Sequence, residues 1–265
     1  MEDTYWLPQT NDKPLFDDIL WSKPEQRSQS GKLAIIGGNI NGFNSTSAIY
    51  AAAEQAGAGV IRALLPNSLT KTVSKLWPEC EYSLSTKIGS FSSKSLNDWL
   101  SISEWSDGVI IGGDLTHNSE TAILLERFIE KSTSTLTLVC DAIDIITDIP
   151  STIFDRVNLT VAMDLKQLQK LLMAIRFPMP VKSTMTLRQL VGLLHSLTLN
   201  YGFSIVTTHE NQAYIALNGI VSTTPIKTAS IEPIAAYITV WRIHHPNKPL
   251  EAMTTGLYDL GKQII

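Results

Sequence analysis

The feature that most constrains the fold is a regular alternation of short apolar runs with longer amphipathic segments. The runs at 32–36 and 107–111 each end at a glycine pair, Gly37-Gly38 and Gly112-Gly113. Short continuous apolar runs are typical of parallel strands that are buried on both faces. The segments between them have the caps and apolar faces of helices, as in Ser119–Lys131. The alternation therefore predicts an α/β fold with a mainly parallel sheet covered by helices on both faces.

The same pattern assigns elements along the whole chain. Residues 1–31, which are polar and interrupted by prolines, form a predicted N-terminal arm, and residues 32–265 form one predicted domain. The predicted elements are a short helix around Phe16–Trp21, a strand at 32–36, a helix at Ser45–Gly57, a strand at Val60–Leu65, a helix at 67–77, a strand at 107–111, a helix at Ser119–Lys131, strands at Leu136–Asp141 and Val157–Thr160, helices at Asp164–Arg176 and Leu187–Tyr201, a strand at Ser204–Thr208, a hairpin with strands at 213–217 and 220–223, and helices from Glu232 and Leu250.

Composition excludes several classes of protein. Hydrophobic residues make up 44% and charged residues 17% of the chain, which is unlike a disordered protein. A net charge of −4 gives no reason to expect nucleic-acid binding. The two cysteines cannot build a disulfide scaffold or a Cys-based zinc cluster, and the histidines form no metal-binding pattern. Without a membrane-length apolar stretch or a basic N-terminus, we expect a cytoplasmic protein that does not contact membranes.

Candidate site residues lie where the predicted strands end, because ligands of open α/β sheets bind beyond the carboxyl ends of the strands. A carboxylate such as Asp141 could hold magnesium or a ligand hydroxyl there, or could only cap the next turn. Glycine turns let a backbone approach a ligand, but they also serve only to turn the chain. The chain has no complete Walker loop, no G-x-G-x-x-G fingerprint and no G-x-S-x-G elbow. The strand exits are Gly37-Gly38-Asn39, Gly112-Gly113-Asp114, Asp141, Thr160 and Thr207-Thr208-His209-Glu210, with the start of the helix near Glu232.

The order of these segments is more specific than any one of them. Gly31–Asn39, the Ala-rich Ala51–Ile61 with its Gly57-Ala58-Gly59, and Trp77-Pro78-Glu79-Cys80 resemble the first third of the NAD(P)H-hydrate dehydratase family. Further along, similar segments are Ile110–Leu115, Val139–Asp144, Asn158–Thr160 and Val206–Gln212, so that the resemblance covers nearly the whole chain.

The resemblance implies a ribokinase-like three-layer α/β/α sandwich with a mainly parallel central sheet. It also implies an activity, the repair of hydrated NADH and NADPH with ADP or ATP and magnesium, and a possible homo-oligomer. By the same resemblance, Glu232 takes the place of the catalytic aspartate. The implied substrate-binding residues are Gly37, Gly38, Asn39, Gly57, Gly59, Glu79, Asp141 and Thr160, and the implied nucleotide- and phosphate-binding residues are Gly112, Gly113, Asp114, Thr208, His209, Thr228, Ala229, Ser230 and Ile231.

The chain departs from the family where phosphate would be handled. Thr228–Glu232 stands in place of a Gly-Gly-Thr-Gly-Asp motif, so the glycines are lost and the carboxylate is one methylene longer. Misplacement of a reacting group by about 1 Å can cost about 100-fold in rate. His209-Glu210 or Thr208-His209 replaces the family's Lys-Gly pair, and the carboxylate of Asp114 stands near the expected phosphates.

Three functions remain open from the sequence. The first is an active dehydratase with unusual motifs. The second is a catalytically weakened or inactive relative that keeps the fold and binds a nucleotide or a partner protein or belongs to an oligomer. The third is a small-molecule kinase of the same fold, such as a vitamin or sugar kinase, which would need the same phosphate-binding groups. The losses favour a strongly altered or lost phosphoryl chemistry.

Overall fold

The computed structural model describes residues 4–148, 156–227 and 230–263, and all of its ten strands belong to one sheet. The order across the sheet is β1-β10-β9-β8-β7-β6-β5-β2-β3-β4. The strands are β1 (Trp6–Pro8), β2 (Lys32–Ile36), β3 (Val60–Pro66), β4 (Glu81–Ser83), β5 (Gly108–Gly112), β6 (Thr135–Val139), β7 (Leu159–Met163), β8 (Ser204–His209), β9 (Gln212–Leu217) and β10 (Ile220–Pro225). Within the described ranges β9 pairs antiparallel with both of its neighbours, and every other pair is parallel.

Helices cover both faces of the sheet, which confirms the predicted three-layer α/β/α arrangement. One apolar core lies between the sheet and α4 to α8, and the other lies between the sheet and α1, α2, α9 and α10. The helices are α1 (Asp17–Trp21), α2 (Asn44–Ala56), α3 (Thr70–Val73), α4 (Leu96–Trp105), α5 (Ser119–Lys131), α6 (Asp141–Ile146), α7 (Leu165–Ala174), α8 (Leu187–Asn200), α9 (Ile231–His244) and α10 (Pro249–Gln263).

The chain order of the strands defines where a ligand crevice can form. From β2 the chain continues outward to β3 and β4, and it then returns to place β5 on the other side of β2. The connections that leave β2 and β5 therefore diverge, which opens a crevice beyond the carboxyl ends of these two strands. The turns at Gly37-Gly38 and Gly112-Gly113 stand on the two sides of this point.

The N-terminal segment is joined to the rest of the protein by pairing and polar contacts. Trp6–Pro8 adds a parallel edge strand to β10, which the sequence pattern did not predict. The buried Gln9 donates from Nε2 to Thr224 Oγ1 at 3.0 Å, and Lys23 pairs with Asp259 at 2.8 Å. A three-residue strand is too short for its periodicity to be recognised.

Other differences from the predicted elements concern short or polar segments. The helix predicted at 67–77 is a single 3-10 turn followed by the four-residue α3. The helices α4 and α6 and the strand β4 were not predicted. The hairpin at Asn218-Gly219 is confirmed, and both residues have the positive φ that such a turn requires. Within the described parts of the chain, no helix combines the length and the apolar character needed to span a bilayer.

Candidate functional site

The two turns that flank the crevice are bonded to each other. The backbone N–H of Gly38 donates to the carbonyl of Gly113 at 2.9 Å, and the Asn39 side chain donates from Nδ2 to the carbonyl of Asp114 at 2.5 Å. A Cβ on Gly37 would lie 2.4 Å from a carbonyl oxygen of the opposite turn, which no side chain allows. Gly37 is therefore required by the close approach of the two turns.

Ser45, in the first turn of α2, is the centre of a polar cluster in this crevice. Its backbone N–H donates to Asp114 Oδ2 at 2.9 Å, and its hydroxyl donates to Glu232 Oε1 at 3.1 Å. The same hydroxyl lies 3.4 Å from the sulfur of Cys140. The ends of β5 and β6 and the starts of α2 and α9 thus meet at one side chain.

Glu232 is half-buried at the start of α9, and its carboxylate is held by several donors. Burial alone would raise its pKa, but the hydroxyl of Ser230, its own backbone N–H, the hydroxyl of Ser45 and the thiol of Cys140 together lower the pKa below the ordinary value. A carboxylate with a lowered pKa is a weaker base. The group in the place of the catalytic aspartate is therefore satisfied by the protein itself.

The other acidic groups of the crevice are crowded. Burial raises the pKa of Asp141, and the nearby carboxylates of Asp114 and Asp144 raise it further. Cys140, which precedes α6 with a φ of 53°, has a thiol whose pKa burial raises to about 12. Such a thiol stays protonated at neutral pH and is a poor nucleophile.

In the part of the chain that the structure describes, the acidic groups Asp114, Asp141 and Glu232 of the crevice have no Lys or Arg partner and form no cluster of three metal ligands. Among the described residues, no Lys or Arg nitrogen lies within 4.0 Å of the carboxylates of Asp114, Asp141 or Glu232. In the same parts of the chain, no three His, Cys, Asp or Glu side chains are grouped as a metal site. A nucleotide phosphate at the start of α9 would face uncompensated carboxylates, and its place at the Glu232 N–H is taken by the residue's own side chain.

The structure brings one group of the predicted residues together and separates another. Near the start of α9 and the two turns lie Gly37, Gly38, Asn39, Gly112, Gly113, Asp114, Asp141, Ser230, Ile231 and Glu232. Thr208 and His209 lie at the end of β8, where the His209 ring contacts the carbonyl of Met185 through Nε2 at 3.0 Å. Thr228 and Ala229 lie outside the described residues.

Four of the predicted substrate-binding residues have other surroundings. Gly57 ends α2 with a φ of 93°, and a Cβ on Gly59 would lie 2.3 Å from the carbonyl of Arg27 near the start of the sheet. Glu79 is exposed before β4. Thr160 is buried within β7, where its hydroxyl accepts a hydrogen bond from Arg242 at 2.5 Å.

Sequence reasoning did not single out Ser45 or Cys140 as site residues. Ser45 is part of the Ser-Thr-Ser run that signals a helix start, and Cys140 directly precedes the candidate Asp141. These positions indicate nearness to a strand exit, but nothing in the sequence shows that both side chains reach Glu232.

A cleft of about 430 Å³ lies at the end of the β8–β9 hairpin, on the side of Thr208 and His209. Its volume is within the range of small-molecule sites. Amide side chains and one lysine line it beside two apolar residues. The lining residues are Asn11, Asn211, Gln212, Pro225, Ile226, Lys227 and Gly261.

Comparisons of the sequence with known proteins give no match. No protein-family model matches the chain, and no curated protein matches it. Comparison of the structure does give matches at low sequence identity.

A ribokinase-like superfamily protein of Enterococcus faecalis superposes with a TM-score of 0.72 at 16% identity, over 98% of this chain and 88% of that one. An ADP/ATP-dependent NAD(P)H-hydrate dehydratase of Bacillus subtilis, co-crystallised with ATP and Mg²⁺ and soaked with CoA, gives 0.66 at 13% identity over 93% and 86%. An adenosine kinase of Anopheles gambiae gives 0.53 at 7% identity over 98% and 92%. Identities this low establish the fold alone, and the chain is accordingly a protein of the ribokinase-like fold.

Proposed function

We propose that this protein is a divergent relative of the NAD(P)H-hydrate dehydratases that binds a nucleotide or dinucleotide and does not catalyse phosphoryl transfer. The observation that carries the proposal is the state of Glu232. Its carboxylate accepts hydrogen bonds from the hydroxyls of Ser45 and Ser230, and these donors stabilise the charged form and make it a weaker base toward a substrate hydroxyl. Phosphoryl transfer depends on positioned cations and amides around the phosphate.

The cleft at the end of the β8–β9 hairpin supports the binding half of the proposal. The amides of Asn11, Asn211 and Gln212 offer the donors and acceptors that the edge of a base requires. Pro225 and the largely buried Ile226 form the apolar part of the lining, and the ammonium group of Lys227 would neutralise a phosphate. Binding in this cleft needs no contribution from the polar cluster of Ser45, Asp114, Cys140 and Glu232, called the Glu232 cluster below.

The test combines a binding measurement with a turnover measurement. Thermal unfolding is followed with ADP, ATP, NADH and NADPH, and hydrated NADH is incubated with ATP and magnesium. We expect a nucleotide at 100 times its dissociation constant to stabilise the protein by about 2.7 kcal/mol, with no recovery of NADH absorbance. Lys227→Gln is expected to weaken binding several-fold, whereas Lys166→Gln, an exposed lysine on α7, serves as the matched control.

Two results would contradict the proposal separately. Recovery of NADH absorbance that disappears in Glu232→Gln would show that the carboxylate is catalytic and that the chemistry is retained. Absence of any stabilisation by all four compounds would remove nucleotide binding.

A further inference from the structure

A second cleft, of about 700 Å³, lies between the segment at 84–94 and the start of α5. None of its lining residues belongs to the Glu232 cluster or to the hairpin cleft. Gly89, in the same segment, is held by the loop after β2 and by Ser68: its carbonyl accepts from the N–H of Ile40 at 3.0 Å and from the hydroxyl of Ser68 at 2.8 Å. The lining residues are Leu84, Ser85, Thr86, Lys87, Ile88, Ser92, Ser93, Lys94, Asn118, Ser119 and Glu120.

The charges of this cleft favour an anion. Lys87 and Lys94 both line it, and among the described residues no carboxylate lies within 4.0 Å of either ammonium group. The acidic lining residue, Glu120, is already hydrogen-bonded through Oε2 to the N–H of Ser93 at 3.1 Å and to the hydroxyl of Ser92 at 3.2 Å. The cleft is thus locally cationic in a chain whose net charge is −4.

The walls of the cleft are anchored to the core, so the lysines project from a fixed frame. The hydroxyl of Ser95 donates to the carbonyl of Leu84 at 2.7 Å, and Asn118 donates from Nδ2 to Ser90 Oγ at 3.0 Å. Phe91, in the middle of the segment, is fully buried and packs edge-to-face on Trp99 at 5.1 Å. A fixed frame lowers the entropic cost of ordering a site when a ligand binds.

The uncharged residues of the cleft indicate what the organic part of the ligand is. The Ser85 hydroxyl donates to Asn67 Oδ1 and the Thr86 hydroxyl is bonded to Ser90, so each keeps an oxygen lone pair that can accept from a ligand. Leu84 and Ile88 are apolar residues with 50% and 62% of their surface exposed. A polar body with one apolar face, attached to a charged group, matches these surfaces. We propose that this cleft binds a small phosphate monoester. Lys87 and Lys94 contact its phosphate, and the hydroxyls of the cleft contact its organic part.

The experiment is isothermal titration of the full chain with ribose 5-phosphate, AMP and inorganic phosphate. We expect saturable binding of at least one of the two esters, weakened about tenfold in the double variant Lys87→Gln/Lys94→Gln and weakened further by added salt. The matched control is Lys75→Gln/Lys166→Gln, which removes two exposed lysines elsewhere and is expected to bind as tightly as the unaltered chain. AMP binding that is weakened in Lys87→Gln/Lys94→Gln, without ribose 5-phosphate binding, would identify a nucleoside monophosphate as the ligand of this cleft, whereas AMP binding that the double variant leaves unchanged would belong to the hairpin cleft and overturn the proposal. Equal binding of both esters would identify a sugar phosphate group.

Several results would overturn the proposal. Absence of binding of both esters at millimolar concentration would remove the site, and so would equal affinities in the two double variants. Binding of inorganic phosphate as tightly as the esters would show that the organic part of the ester is not recognised. Because ribose 5-phosphate carries no base, its result is separate from the proposed nucleotide binding at the hairpin cleft.

Discussion

The N-terminal end of α9 favours the charged form of its ionisable group, whereas the C-terminal end disfavours the charged form. At the N-terminal end, Glu232 is half-buried, and hydrogen bonds hold its pKa below the ordinary value. At the C-terminal end, burial lowers the pKa of Arg242 to about 10 and that of His244 to about 4. Within the described residues neither side chain has a carboxylate within 4.0 Å; Arg242 donates to Thr160, and His244 contacts the carbonyl of Ser30 at 3.2 Å.

The helix dipole favours an anion at the first end and a cation at the second, but it is worth at most about 2 kcal/mol. A decrease of the His244 pKa from 6.5 to about 4 corresponds to roughly 3 kcal/mol against the charged form. Desolvation therefore exceeds the dipole at the C-terminal end, and His244 is neutral at pH 7. The carboxylate at the N-terminal end stays charged because hydrogen bonds from protein donors replace those from the lost water. These donors occupy it in the way that a ligand would.

The largest expected effect comes from the glycines at the two ends of β5, which lies beneath α9. A Cβ on Gly112, whose φ is 148°, would lie 1.9 Å from the carbonyl oxygen of Val139, whereas a Cβ on Gly108 would lie 2.9 Å from the terminal methyl of Ile243. A backbone oxygen within a sheet cannot move away, but a methyl group can. We expect Gly112→Ala to lose about 3 kcal/mol or more, and Gly108→Ala about 1 kcal/mol, in urea denaturation.

Equal losses in the two glycine variants would contradict this difference between the two ends of the strand. Gly192→Ala on α8, where no atom lies within 4 Å of the added Cβ, controls for the substitution itself. That change is expected to stabilise the protein slightly, because alanine has the higher helix propensity.

The second effect concerns pH. The folded-state pKa of His244 is lowered, so the unfolded chain binds the proton first as pH falls, and stability decreases between about pH 6.5 and pH 4. We expect His244→Gln to remove up to about 3 kcal/mol of this decrease, measured as the free energy of unfolding at several pH values. The contribution of Glu232 lies in a lower window: it is present above the ordinary carboxyl pKa and is lost as pH falls through the lowered one.

An unchanged dependence between pH 6.5 and pH 4 in His244→Gln would show that the histidine is not held neutral by burial. Burial would then not account for a difference between the two ends of α9.

The fold followed from the sequence where elements are long and periodic. The runs before Gly37 and Gly112 and the helix at Ser119–Lys131 were predicted close to their observed bounds, because burial on both faces or on one stripe leaves a clear pattern. The strand predicted at 157–160 is observed at 159–163. This small shift places Thr160 inside the sheet instead of at its exit, where it was expected to bind substrate.

The candidate site was predicted only in part, for a different reason. Local pattern shows that Glu232 begins a helix and that Gly113 ends a strand, so both were placed at one edge of the sheet. The contacts of Ser45 join residues 95 and 187 positions apart, and such contacts depend on how α2 packs against α9 and the end of β6. Residue type and spacing carry no information about this packing.

The smallest expected effect tests the N-terminal end of α9 directly. Ser45→Ala removes the hydroxyl that donates to Glu232 Oε1 at 3.1 Å, and we expect a loss of about 1 kcal/mol of stability. Because that donor favours the charged carboxylate, its removal should raise the pKa of Glu232, which carboxyl-carbon NMR can follow by titration. Ser47→Ala is the matched control, since Ser47 is exposed in the same helix. If both variants lose the same stability and leave the Glu232 titration unchanged, the carboxylate is not held by Ser45.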